Sequence, residues 1–148
     1  MTGMINPPLR LLIVDDEAPA RARLRDLLGD INSELPNIVV GEAADGVEAL
    51  EFLSRTPATA VDIALVDIRM PRLDGIGLAQ QLSVRRDAPA VIFTTAYDEY
   101  AVRAFDLNAI DYLLKPVRAS PLLTALNRLP RATDAAAPRH LAPEDRTH

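Results

Sequence analysis

The sequence predicts an α/β fold, a doubly wound five-stranded parallel sheet with five helices. Three observations predict it. Five apolar runs of strand length lie along the chain. Each is followed by a helix-length segment whose apolar residues share one face. The runs are continuously apolar rather than alternating, as expected of strands covered by helices on both faces of a parallel sheet.

The first run is Leu9–Val14. The segment Glu17–Gly29 follows as a helix, with Leu24, Leu27 and Leu28 on one face and Gly29 as its stop signal. Ile38–Ala43 is the second run. Asp45 then reads as an N-cap with Glu48 in capping-box position, and the helix runs through Leu50 and Leu53 to Arg55, closed by Pro57. Asp62–Val66 is the third run, and Asp74 caps a helix carrying Ile76, Leu78, Ala79 and Leu82. Ala90–Thr94 is the fourth run, followed by a short helix over Asp98–Leu107. Ile110–Leu114 is the fifth run, and Ser120–Leu129 the last helix.

At 148 residues the chain has room for one domain with a substantial core. That domain is placed at residues 9–129, with an N-terminal tail over 1–8. Residues 130–148 contain Pro130, Pro138 and Pro143 without apolar periodicity and read as a linker or disordered tail. The net charge is −5 and the basic residues are scattered, which excludes a basic nucleic-acid face on this segment. No apolar run approaches the roughly 18 residues of a membrane span. The N-terminus lacks the layout of a signal peptide. The chain has no cysteine, which excludes disulfides and thiolate metal sites and fits a cytoplasmic setting.

The chemistry gathers at the ends of the apolar runs. The first ends in Asp15-Asp16, the third in Asp67, the fourth in Thr94-Thr95 and the fifth in Lys115-Pro116. In an open parallel sheet these are all carboxyl ends, so they open on one edge, where such folds bind ligands. Lys115 is the one lysine among sixteen basic residues. A compact ammonium suits a phosphoryl oxygen better than a planar guanidinium would if approached from a single direction. Three carboxylates in one crevice repel one another unless a cation is present. Oxygen-only ligands suit Mg²⁺. A carboxylate held beside Mg²⁺, a lysine and a hydroxyl can attack phosphorus and form an aspartyl-phosphate.

Asp15-Asp16, the stretch DIRMPRLDG from Asp67 to Gly75, Thr95-Ala96, and YLLKP from Tyr112 to Pro116 resemble the receiver domain of bacterial two-component response regulators. The resemblance covers residues 9–129, and its motifs stand in the family's order. The longer stretch TTAYDEYAVRAFDLNAIDYLLKP resembles receivers of the LytTR class, whose DNA-binding output domain is absent from this chain. The resemblance implies a flavodoxin-like strand order 2-1-3-4-5. It implies Asp67 as phosphoacceptor, and Asp15, Asp16, Asp67 and the backbone carbonyl of Arg69 as ligands of Mg²⁺ or Mn²⁺. It implies Lys115 as the phosphoryl partner, Thr95 as the switch hydroxyl, Tyr112 as the aromatic that rotates, and a cis Lys115–Pro116 bond. It implies a sensor histidine kinase as donor, and a signalling switch rather than a metabolic enzyme. DNA would be reached only through the missing output domain. No membrane partner is expected.

Each residue has a plainer reading. Asp15 and Asp16 are also good helix caps, Thr94 competes with Thr95, and Tyr112 suits a half-buried core position. Thr95 is preferred because Ala96 follows it, as in the family. Asp45, Asp74 and Asp98 are assigned to helix caps. His140 and His148 are read as solvated. Arg69 and Tyr97, two residues past Asp67 and Thr95, sit where receivers control water's access to the phosphoryl group, which implies slow autodephosphorylation. Val102, Phe105 and Leu107, beside Ile110 and Tyr112, either face the core or form a homodimer face around the fourth helix and fifth strand. An aspartyl-nucleophile phosphatase of the haloacid-dehalogenase type needs a second aspartate where this chain has Arg69. A phosphorylation-independent interaction module usually lacks one of the acidic pair, the acceptor or the lysine; here all are present.

Overall fold

A computed structural model describes residues 7–57, 60–96 and 109–129. Its elements are β1 Leu9–Val14, α1 Ala18–Asp30, β2 Asn37–Ala43, α2 Gly46–Ser54, β3 Ile63–Asp67, α3 Gly75–Ser83, β4 Ala90–Thr95, β5 Asp111–Leu114 and α4 Ala119–Leu126. The expected helix over Asp98–Leu107, the linker over 130–148 and the first six residues of the expected N-terminal tail lie outside the described residues. Among the described residues there are four helices. None is long and apolar enough to cross a membrane.

The five strands form one parallel sheet in the order β2-β1-β3-β4-β5. Residues alternate between its faces. Leu12, Val14, Ala64, Val66 and Phe93 pack with Ala49 of α2 and with Ile76, Leu78 and Leu82 of α3. Leu11, Ile13, Ile63, Leu65 and Ile92 pack on the other face with Leu24 and Leu28 of α1 and with Leu122, Ala125 and Leu126 of α4. The unbroken apolar runs of β1 and β3 are thus explained, since both of their faces are covered. Register carries the chemistry-bearing residues to one edge. Val14 pairs with Ala43 and Val66, and Asp67 pairs with Thr94, which pairs with Leu113.

The sheet departs from uniform burial at its edges. Strand β2 alternates, with Ile38 and Val40 exposed, and Leu114 of β5 is exposed as well. An edge strand has a neighbour on one side only. In β2 the register also slips opposite Leu11/Leu12, leaving Val40 between the residues that pair with them. Such a bulge bends an edge strand and discourages further pairing.

Helix ends show how local and tertiary terms compete. The side chains of Asp45 and Asp74 accept from the backbone N–H groups of Glu48 and Gly77, as N-caps do. The Glu48 carboxylate reaches the N–H of Ala44, one residue before the cap. α1 ends at Asp30, one residue beyond Gly29, and the following turn buries Ile31 and Leu35 in the core. α1 begins at Ala18 with Glu17 as its N-cap residue. The other boundaries lie within about three residues of expectation, as fraying ends do.

Phe93 of β4 is fully buried. Phe93→Ala is expected to destabilise the fold by about 3–5 kcal/mol in urea unfolding. Ile38→Ala on the bulged edge is expected to change it by less than about 0.5 kcal/mol.

Candidate functional site

Asp15 follows the last residue of β1 and is fully buried. Its backbone N–H donates to Ala43 and its carbonyl accepts from Nη1 of Arg21 at 2.6 Å. Its carboxylate is held from two sides. Oδ1 accepts from the N–H of Glu17 at 2.9 Å, and Oδ2 accepts from Nζ of Lys115 at 2.8 Å. Asp16 is exposed beside it. Asp67, the last residue of β3, is buried, and its Oδ2 lies 3.4 Å from Lys115 Nζ. One carboxylate oxygen from each of Asp15, Asp16 and Asp67 lies within 4.8 Å of the other two.

Lys115 reaches this cluster from the end of β5, where its backbone N–H donates to the carbonyl of Thr95. The Lys115–Pro116 bond is cis. A cleft of about 230 Å³ opens above the carboxylates, lined by Asp16, Asp67, Arg69, Thr95, Ala96 and Lys115 among others. Thr95 is buried and faces this cleft. Thr94, also buried, lies on the other side, with α1 and the 115–117 segment, and its hydroxyl has no hydrogen-bond partner among the described residues. The two threonines thus occupy different surroundings. Tyr112 is half-buried against the α2/α3 side of the core. Tyr97 lies outside the described residues.

The electrostatics follow from this crowding. Burial pushes the Asp67 carboxyl up to about 6, and the charge of Asp15 adds to the rise, while Lys115 only partly opposes it. Burial works against the Lys115 ammonium, but its hydrogen bond to Asp15 and the charge of Asp67 outweigh that and hold its pKa above the ordinary lysine value. One ammonium faces three carboxylates. The donors are hard oxygens, and neither histidine of the chain falls among the described residues. This set fits an octahedral, oxygen-seeking divalent cation such as Mg²⁺.

Side-chain contacts between distant residues, some to side chains and some to backbone, hold the loops around the site. Arg72, in the β3–α3 loop, forms a two-pronged ion pair with Asp45, at 2.7 Å from Nε and 3.2 Å from Nη2. Arg23 of α1 donates to the carbonyl of Val117 just beyond Pro116. Such contacts join residues far apart in sequence and leave no periodic signal.

Comparison with known proteins places this geometry. Residues 11–127 match the family described as Response regulator receiver domain. The chain belongs to that family: it is a receiver domain of two-component response regulators. It is 44 % identical over 123 residues to the Positive alginate biosynthesis regulatory protein of Pseudomonas aeruginosa, covering 83 % of this chain and 48 % of that one. It is 41 % identical over 122 residues to Transcriptional regulatory protein BtsR of Salmonella typhi, covering 82 % and 48 %. The chain thus spans about half the length of these curated relatives. Among solved structures, the response regulatory domain of protein MrkE from Klebsiella pneumoniae superposes with a TM-score of 0.71 at 39 % identity, covering 82 % of this chain and 94 % of that one.

The raised Asp67 carboxyl has a consequence for stability. Its folded-state pKa of about 6 exceeds the ordinary carboxylate value, so the folded state binds the proton more tightly than the unfolded state. Ionising Asp67 therefore costs stability as pH rises through about 6 in the metal-free protein. Asp67→Asn is expected to raise the unfolding midpoint at pH 7.5 by about 4 °C or more and to flatten its pH dependence between about pH 4 and 6. Thermal melts in the presence of a chelator check this.

Proposed function

We propose that this receiver accepts a phosphoryl group on Asp67 in a Mg²⁺-dependent reaction. The observation that carries the reading is the position of Lys115 Nζ, between Asp15 and Asp67 within a cluster of three converging carboxylates. Asp15, Asp16 and Asp67, with the backbone carbonyl of Arg69, would hold the cation, and Mn²⁺ would serve in place of Mg²⁺. When bound, the metal supplies positive charge against the oxygens of the transferring group.

In the transfer, an Asp67 carboxylate oxygen attacks phosphorus. The P–N bond of a sensor histidine kinase's phosphohistidine breaks, and its electron pair leaves with the imidazole nitrogen. Lys115 pairs with a phosphoryl oxygen and the Thr95 hydroxyl donates to another. The added charge draws Thr95 toward the phosphoryl group, and Tyr112 turns into the space it leaves. Arg69 and Tyr97 hinder water's approach, which lengthens the life of the aspartyl-phosphate.

The output side of the reading rests on the relatives. Two of them are named as regulatory proteins, one explicitly of transcription, and each is about twice as long as the matched segment. We assign this receiver to the LytTR class, whose receivers act on a DNA-binding output domain. Phosphorylation would bias that domain, or a homodimer formed through the region between β4 and the end of β5.

Intact-mass measurement after incubation with acetyl phosphate tests the reading. The expected result is one phosphoryl adduct of about 80 Da that requires both Mg²⁺ and Asp67 and disappears in Asp67→Asn. A folded, Mg²⁺-binding protein that takes up no phosphoryl group would replace this reading with that of an interaction module.

A further inference from the structure

The loop that follows Asp67 is fastened at its far end to a different part of the sheet edge. Arg72 has a φ of 63°, the only positive value at a non-glycine residue among those described. A side chain in this left-handed region costs roughly 1 kcal/mol and persists only where surrounding contacts impose it. Here the contacts are visible. The guanidinium of Arg72 grips both carboxylate oxygens of Asp45, which is itself buried and already caps α2. The next residue, Leu73, accepts at its carbonyl from the N–H of Gly46 at 2.8 Å. A Cβ on Gly46 would stand 2.6 Å from that carbonyl, so only glycine allows the approach. At the loop's other end, the N–H of Gly75 donates to the carbonyl of Ile68 at 2.8 Å. Loop 68–74 is therefore closed on itself and clamped to the β2–α2 turn, and Arg69 sits inside it.

We propose that the Arg72–Asp45 ion pair is a positioning device for the cation site: by fixing the β3–α3 loop in its left-handed turn, it presets the backbone of Arg69 beside Asp67 and so sets the affinity for Mg²⁺. Neither residue touches the carboxylate cluster. Their role is to hold its backbone neighbour, as outer partners hold the ligands of a metal site. The inference rests on the Mg²⁺-dependent reading of the cleft, and it adds a residue pair whose two members come from separate loops.

Charge and positioning can be told apart by sign. Asp45→Asn removes a negative charge and Arg72→Gln a positive one. As a purely electrostatic influence, the first weakens cation binding and the second strengthens it. Loss of the clamp weakens binding in both. Asn remains a good N-cap, so Asp45→Asn spares the start of α2. Arg72→Gly adopts the same φ without strain and removes the guanidinium, which separates the clamp from the strain. Arg10→Gln, which breaks the Arg10–Asp62 ion pair at the opposite end of the sheet, controls for a general loss of an ion pair.

The experiment is calorimetric titration of each metal-free variant with MgCl₂, alongside amide hydrogen exchange and thermal melts. The expected result is Mg²⁺ affinity lowered by about tenfold in Asp45→Asn, Arg72→Gln and Arg72→Gly, and unchanged in Arg10→Gln. The amides of Gly46 and Gly75 are expected to exchange faster in the three loop variants before any metal is added. Unchanged affinity in the loop variants overturns the inference, as does tighter binding by Arg72→Gln. Absence of Mg²⁺ binding by the wild-type protein instead overturns the metal-dependent reading itself.

Discussion

Unbalanced negative charge at one edge of a parallel sheet governs this molecule. The topology brings the carboxyl ends of β1 and β3 side by side, and with them Asp15, Asp16 and Asp67. One ammonium, carried on β5's end from a hundred residues away, cannot neutralise them. The imbalance shows in Asp67, whose ionisation is resisted by burial and by its neighbour Asp15. A site under such tension has a built-in appetite for positive charge, and a divalent cation held by oxygen donors meets it most directly.

The rest of the fold is arranged to sustain that tension. The three central strands are sealed on both faces, so the sheet edge is rigid where the carboxylates sit. Asp15 is fixed by the Glu17 N–H, by Lys115 and, through its carbonyl, by Arg21. The loop after Asp67 is bound to the β2–α2 turn by Arg72 and by the backbone of Leu73. Functional sites commonly hold such locally unfavourable arrangements at the expense of stability, because their use requires them.

Much of this was legible in the sequence, for a physical reason. Strands buried on both faces must be apolar throughout, so Leu9–Val14 and the run before Asp67 announce themselves. In a parallel sheet, the residue after each run falls on the same edge, so Asp15, Asp67, Thr95 and Lys115 could be grouped before any distance was known. The side-chain caps at Asp45 and Asp74 were legible because they act over three residues. What escaped was set by long-range contacts. The exposure of Ile38 and Val40 follows from β2 standing at an edge, which no local pattern states. Asp45 read as a cap and nothing more, since its second role depends on Arg72, which is 27 residues away and in an unusual backbone conformation. The expected roles of Tyr97 and of the segment over 98–107 lie outside the described residues.

If uncompensated carboxylate charge at the sheet edge recruits a divalent cation, stabilisation by Mg²⁺ depends on pH, which thermal unfolding across a titration of MgCl₂ measures. The unfolding midpoint is expected to rise with Mg²⁺ at pH 7.5 and to rise much less near pH 5, where Asp67 carries a proton and the imbalance has shrunk. A midpoint indifferent to Mg²⁺ at pH 7.5, or equally responsive at both values, would contradict it.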